Sequence, residues 1–403
     1  MLQYFNLTDV YFYFTIIAQH DLGEISVKIG ILTFHRATNY GTALQAFATE
    51  KGIKKLGVET EMIDYRPEYT ERTLHVRKLK NAKSPKEILS ILVNAVLYPN
   101  MAKRKAESFM RFFSLMNVSD KVCLTTDEVS KASQEYDVVL SGSDQLFNRN
   151  ITGDDKTYFL PFEHKRKVTF ASSFGERKLS ADRVEEIAPY FSEFDALSVR
   201  EKTANDILSQ IKRVNSSAKS ATSVLDPTFL LTKYEWNEYA EAGLKLPKDG
   251  YILTYYMIET PLLREITARL QRKTGLKVVN IKPSKKQVVL HQGKNLAYAG
   301  PAEFLACYKN ASYVVTNSFH GTAFAINYGI PFFTSTLPVS MAGEVNSRLS
   351  DICELFDLSH RWIDSEQKLS ITDITQPFEK ETEKILLNLR NHSFDYLKCA
   401  LGV

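Results

Sequence analysis

The sequence predicts an α/β protein of two parallel-sheet halves with a ligand cleft between them. Three observations predict it. Short apolar runs alternate with amphipathic stretches along most of the chain. The first of these, "KIGILTF", "TALQAFATEKGIKKLG" and "ETEMIDY", read as strand, helix and strand within about forty residues, the βαβ unit of a parallel sheet. The stretch "TKYEWNEYAEAGLKLPKDG", ending in Pro and Gly, then divides the alternation into two runs of similar size.

Taken in order, residues 1–26 are expected to be an extension outside the fold, from a start codon placed too early. Their apolar piece "YFYFTII" is too short to span a bilayer. It also lacks the basic start of a signal peptide. The N-terminal half is expected over residues 27–240. "VKIGILTF" is a buried strand by its continuous apolar run. The loop "HRATNYG" leads to a helix with apolar Leu44, Phe47, Ala48 and Ile53. Residues 77–118 read as a basic helical insertion, with "KRKAESFMRFFSLM" its clearest amphipathic piece. "YDVVLSGSDQ", "KVTFASSFG" and "FDALSVRE" are each a short apolar strand ending in Ser-rich or charged residues, and "VLDPTFLL" closes the half.

The C-terminal half, residues 248–375, repeats the alternation. "YILTYYM", "LKVVNIK", "SYVVTNS" and "IPFFTS" are strands; "TPLLREITARLQRKTG", "PAEFLACYKNA" and "HGTAFAINYG" are helices. Residues 376–403 are a long amphipathic helix, or two in sequence.

Composition agrees. At 403 residues the chain is too long for one ordinary core, and its 44% apolar content is that of a globular protein. A net charge of +4 is too small to imply a nucleic-acid partner, and none is expected. Cys123, Cys307, Cys353 and Cys399 are scattered, with no CxxC pair and no Cys/His cluster. Neither a metal site nor a disulfide framework is expected, and a cytoplasmic location fits.

In sheets of this kind the ligand lies at the carboxyl ends of the strands. After the first strand come His35, Arg36, Asn39, Tyr40 and Gly41. After "DVVL" come Ser141, Gly142, Ser143, Asp144 and Gln145. "ALSV" is followed by Arg200 and Glu201, and "SYVV" by Thr316, Asn317, Ser318, His320, Gly321 and Thr322. Small residues admit a ligand to the backbone, and helix N-termini offer it N–H groups and positive potential. Each feature has a plainer reading: Asp144 as a cap, Arg200 and Glu201 as a surface ion pair, His320 as a structural residue. Caps alone do not require Arg, His and Gln at the same end of several strands. Their convergence implies an anion or sugar-phosphate site between the halves.

Across residues 28–361 the ordered motifs "GILTFHRATNYGTALQAFA", "VVLSGSDQLFN", "LSVREKTA", "VLDPTFLL", "VTNSFHGTAFAINYGIPF" and "NSRLSDICELFDL" resemble the polysaccharide pyruvyl transferase family. The resemblance implies two Rossmann-like domains facing a central cleft, as in GT-B glycosyltransferases. It implies transfer of the enolpyruvyl unit of phosphoenolpyruvate to a sugar, as a ketal bridging two hydroxyls, with no further cofactor. Arg200 and His320 match the family's donor-binding arginine and histidine, with His320 as acid/base or phosphate ligand. Asp144 and Gln145 would hold the acceptor or orient a catalytic group. Asn39, Tyr40 and Gln45 would line the opposite wall. Part of the family carries arginine two residues before the histidine; Ser318 stands there here, and Arg348 or Arg361 would replace that cation.

The bases from Arg77 to Arg111 read either as a solvated helical face or as a docking surface for an anionic membrane, with Phe109, Phe112 and Phe113 in the interface. The second reading would suit a lipid-linked acceptor and peripheral contact with the inner face of the membrane. Two rival functions share the cleft: a nucleotide-sugar glycosyltransferase, with Glu344 as its ribose acid, and a non-catalytic glycan-binding relative.

Overall fold

The computed structural model describes residues 27–71, 100–283, 287, 292–337 and 345–403. The expectations for residues 1–26, for the 77–99 part of the basic insertion and for Glu344 lie outside the described residues.

In the first half, β1 (Lys28–Leu32), β2 (Glu59–Tyr65), β3 (Val118–Cys123), β4 (Val138–Ser141) and β5 (Lys167–Thr169) pair in parallel in the order β3-β2-β1-β4-β5. Two short parallel strands, β6 (Leu197–Val199) and β7 (Ala221–Ser223), follow, with bridges such as Val168–Ala196 joining them to this sheet. In the second half, β8 (Tyr251–Tyr255), β9 (Lys277–Ile281), β10 (Lys294–Leu296), β11 (Tyr313–Thr316), β12 (Phe332–Ser335) and β13 (Trp362–Ile363) form a sheet in the order β10-β9-β8-β11-β12-β13. Both sheets therefore reverse direction between their first and fourth strands, β1/β4 and β8/β11. That reversal opens the crevice where doubly wound sheets bind ligands.

The helices that matter here are α1 (Tyr40–Lys54), α2 (Met101–Phe113), α3 (Lys202–Val214), α4 (Pro301–Lys309), α5 (Phe319–Tyr328), α6 (Val345–Leu355) and α7 (Lys380–Leu401). Asn39 starts α1: its Oδ1 accepts from the N–H of Gly41 at 2.9 Å and of Thr42 at 3.4 Å. Tyr40 and Gly41 thus belong to the first helical turn rather than to the preceding loop. The C-terminal segment is one helix of 22 residues, α7. It returns to the first half, where Tyr396 donates to Thr169 O at 2.8 Å and Arg166 Nε to Ala400 O at 2.7 Å.

Period-2 alternation sorts the strand residues between cores. Ile29, Ile31, Val138 and Leu140 of the first sheet share a single core with Tyr251, Leu253, Tyr255 and Val314 of the second. Leu32 and Val139 face a separate core, and Ile252, Val315 and Phe333 a third. The two sheets are thus Rossmann-like layers joined through their inner faces, the GT-B-like arrangement.

Phe109, Phe112 and Phe113 correct one expectation. They are 0%, 1% and 5% exposed and fill the shared core, with Phe109 5.4 Å from the Tyr40 ring and Phe112 5.0 Å from Phe47. They cannot dip into a membrane. No helix among the described residues is long and apolar enough to cross one.

Candidate active site

Four chain segments deliver charged groups to the two switch points. After β4, Asp144 has φ 76°, a left-handed backbone that costs a non-glycine residue about 1 to 3 kcal/mol. Its carboxylate accepts from Thr42 Oγ1 at 2.8 Å and from the Gln145 N–H at 2.9 Å. After β6, Arg200 is buried and donates to Asp226 Oδ2 at 2.6 Å, to Ser143 Oγ at 3.3 Å and to Asp144 Oδ1 at 3.4 Å. Asp226 follows β7. Its other oxygen is fixed by the N–H and hydroxyl of Thr228 at 3.0 and 2.7 Å.

After β11, Ser318 caps α5 by accepting from the Gly321 N–H at 3.3 Å, which sets Phe319 and His320 on the first turn. His320 Nε2 lies 3.7 Å from Asp226 Oδ2, too far for a hydrogen bond, and has no hydrogen-bond partner among the described residues. The opposite edge of the imidazole rests on Gly41, where an added Cβ would collide with Nδ1. The histidine therefore stands between α1 on one side and Asp226 with Arg200 on the other.

Electrostatics hold both carboxylates and Arg200 ionised. Burial pushes the Asp144 and Asp226 carboxyls up, but Arg200, His320 and their hydrogen bonds outweigh it and leave both below the ordinary range. Burial disfavours the Arg200 cation; Asp226, Asp144 and Glu201 more than compensate. Arg348, on α6, is buried with no carboxylate in contact among the described residues. Burial and then the Arg200 charge lower its pKa. The Nε donors of both arginines are buried without hydrogen-bond partners among the described residues, that of Arg200 lying 3.8 Å from Glu201 Oε2.

Beside these arginines is a cavity of about 390 Å³, within the range of small-molecule sites. Its polar lining includes Arg200, Arg348, Asp226 and Asp351; Phe229, Phe319 and Phe356 contribute aromatic walls. Burial, then Glu201 and Glu354, pushes the Asp351 carboxyl up to about 6. Among the described residues no three His, Cys, Asp or Glu side chains cluster as metal ligands would.

The residues singled out from the sequence divide in two. Asn39, Gly41, Ser143, Asp144, Arg200, Ser318, His320 and Arg348 gather around the cluster. Tyr40 lies in the joint, its hydroxyl donating to Ala299 O at 2.6 Å. Gln45 is buried, bonded to Thr33 Oγ1 at 3.1 Å and Thr42 O at 3.2 Å. Gln145 Oε1 accepts from Asn148. Gly142, Gly321 and Thr322 serve packing: a Cβ at Gly142 would press on Thr33 and one at Gly321 on Thr316, while Thr322 is fully buried. Arg361 is not the replacement cation. It is consumed by Glu379 and by the carbonyls of Phe332, Gln376 and Pro377. Asp226 and Asp351 were missed, although "VLDP" places an acid directly before a helix-starting proline and "RLSD" places one a helical turn after Arg348.

The sequence model of the family described as polysaccharide pyruvyl transferase matches residues 39–335. No curated protein matches the chain. Similar solved structures include a glycosyltransferase from Rickettsia africae, at 9% identity and TM-score 0.49, covering 94% of this chain and 99% of that one. Another is Arabidopsis thaliana UGT89C1 complexed with quercetin, at 10% identity and TM-score 0.47, covering 94% and 99%. A third is an O-GlcNAc transferase mutant from Thermobaculum terrenum, at 12% identity and TM-score 0.41, covering 93% of this chain and only 64% of that one.

Proposed function

Since this chain belongs to the polysaccharide pyruvyl transferase family, we propose that it moves the enolpyruvyl group of phosphoenolpyruvate onto a sugar of a cell-surface glycan or its precursor. The product is a pyruvate ketal, and phosphate is released. One observation carries this reading: two buried guanidiniums, Arg200 and Arg348, line one cavity, and their Nε donors have no hydrogen-bond partner among the described residues. A compact phosphate- and carboxylate-bearing donor supplies the acceptors they lack.

Arg348 takes the place of the cation absent at Ser318. It reaches the cavity from α6 rather than from the start of α5. His320 carries the proton. A proton goes to the methylene carbon of the donor, making it a methyl group and leaving an oxocarbenium-like C2. One sugar hydroxyl attacks C2 and gives up its proton, the C2–O bond to phosphate breaks, and a second hydroxyl closes the ketal. Of the two hydroxyl protons, one replaces that spent on the methylene and the other leaves with phosphate. His320 Nε2 faces Asp226 Oδ2 at 3.7 Å. Proton transfer of this kind contributes about 10²–10⁴-fold. Asp144, fixed by Thr42 and Arg200, orients the arginine and the acceptor edge. The reaction is assigned to the cytoplasm, at the inner face of the membrane for a lipid-linked acceptor.

Thermal unfolding with phosphoenolpyruvate tests the reading against a panel of nucleotide sugars. A ligand at 100 times its Kd adds about 2.7 kcal/mol to the native state. Stabilisation by phosphoenolpyruvate, together with loss of turnover in His320→Ala, is expected. Stabilisation by a nucleotide sugar alone would make the chain a glycosyltransferase.

A further inference from the structure

The "KRK" of α2 does not turn outward as a block. Lys103 pairs with Glu107 at 3.9 Å, whereas Arg104 lies 4.3 Å from the Tyr298 ring of the second half. Lys105 lies 5.0 Å from the Tyr40 ring. From there a line of contacts crosses the joint. Tyr40 packs edge-on against Tyr255 at 5.4 Å, Tyr255 Oη is 3.7 Å from Met257 Sδ, and Met257 O accepts from Lys282 Nζ at 3.5 Å. Lys282, just beyond β9, holds φ 54°, a strained backbone for a lysine.

Neither ammonium has a carboxylate partner among the described residues. The acids on the two helices here are engaged: Glu107 by Lys103, and Glu303 by Ser108 Oγ at 2.6 Å, by the Gly300 N–H at 2.9 Å and by Arg111 at 3.6 Å. Burial, and then the charge of Lys282, pushes the Lys105 ammonium down to about 8. Two ammoniums at the ends of this line of contacts, neither with an acid beside it among the described residues and one on a strained backbone, offer an anion a seat at the joint.

We propose that Lys105 and Lys282, with Arg104 beside them, bind the phosphate or diphosphate that joins the acceptor sugar to its carrier. This rests on the transferase reading above. Position supports it. Tyr40, which carries Lys105, adjoins Gly41 on the Nδ1 side of His320, while Arg200 and Asp226 lie on the Nε2 side. Donor and acceptor anions would then approach the imidazole from opposite edges. Arg104 and Lys105, in the basic stretch read from the sequence as a solvated face or a membrane surface, acquire a different role, that of holding the acceptor's own charge.

Calorimetric titration of the full chain with inorganic pyrophosphate is the first test. Lys105→Gln and Lys282→Gln should each weaken binding about tenfold, and Lys105→Arg should retain it. The phosphoenolpyruvate thermal shift should be unchanged in both glutamine variants. Arg348→Gln should do the reverse. Pyrophosphate binding that is undetectable, or equal in wild type and the double glutamine variant, overturns the assignment. Should wild type ignore phosphoenolpyruvate yet bind pyrophosphate through the lysines, the donor reading falls and the anion site stands. A polyprenyl diphosphate sugar and a nucleoside diphosphate sugar distinguish the carriers. The tighter one names the carrier if the double variant loses it; no loss for either refutes the site.

Discussion

Gly41→Ala should separate activity from stability. The glycine sits in the first turn of α1 with an ordinary helical backbone, so helix formation favours alanine by about 0.5 kcal/mol. The obstacle is His320. A methyl group at position 41 would overlap Nδ1, Cε1 and Cγ of the imidazole. To regain ordinary contact, the ring must withdraw by roughly 1 Å or more. Nε2 would be driven from its place 3.7 Å from Asp226 toward that carboxylate, and a misplacement of that size costs about 10²-fold in turnover. The assay is phosphate release from phosphoenolpyruvate in the presence of acceptor glycan, paired with thermal unfolding. We expect kcat to fall about a hundredfold while overpacking lowers stability by no more than about 1 to 3 kcal/mol. A kcat within twofold of wild type would show that the position of the imidazole does not matter, and would refute the role given to His320.

Two further predictions follow from the same cluster. Asp226→Ala leaves the buried Arg200 guanidinium without its shortest ion pair and should cost about 3–5 kcal/mol in denaturant unfolding; a loss below about 1 kcal/mol would mean that Asp144 and Glu201 suffice. Asp351 titrates near 6 in the folded protein and near 3.8 when unfolded, so the native state holds the extra proton between those values. Its contribution to stability is complete below about 3.8 and is lost as pH rises through 6, by on the order of 1 kcal/mol once its partial exposure is allowed for. In the difference between wild-type and Asp351→Asn unfolding curves, the wild type should lose ground across that window; a flat difference would refute the raised carboxyl.

The fold was largely legible because its central strands are buried on both faces. Runs such as "KIGIL" and "YILTY" must be apolar throughout, and no other element of that length reads so. The edge strands escaped for the same reason. β3, "VSDKVC", is largely exposed, and β7, β10 and β13 are two or three residues long. Candidate site residues were legible where strand-end chemistry is unusual, as for Arg200 and His320. Asp226 was hidden because its importance lies in contacts with Arg200 and His320, which are remote in sequence. The phenylalanines of α2 show a different limit. An amphipathic helix has one apolar stripe, whether that stripe meets lipid or another domain. Arg361 shows a third: a positive charge in a motif does not reveal that Glu379, eighteen residues on, already neutralises it.

The shared core also bears on how such a protein can diversify. Tyr40 of the first half stacks on Phe304 of the second at 5.1 Å, and Ser108 of the first is bonded to Glu303 of the second. The halves are therefore not interchangeable cassettes. A recombination that brought in a foreign second half would sever these pairings together, along with the returning α7. New substrate preferences are left to the strand-end loops, where a residue can change alone, while the joint can drift only by matched changes on both sides.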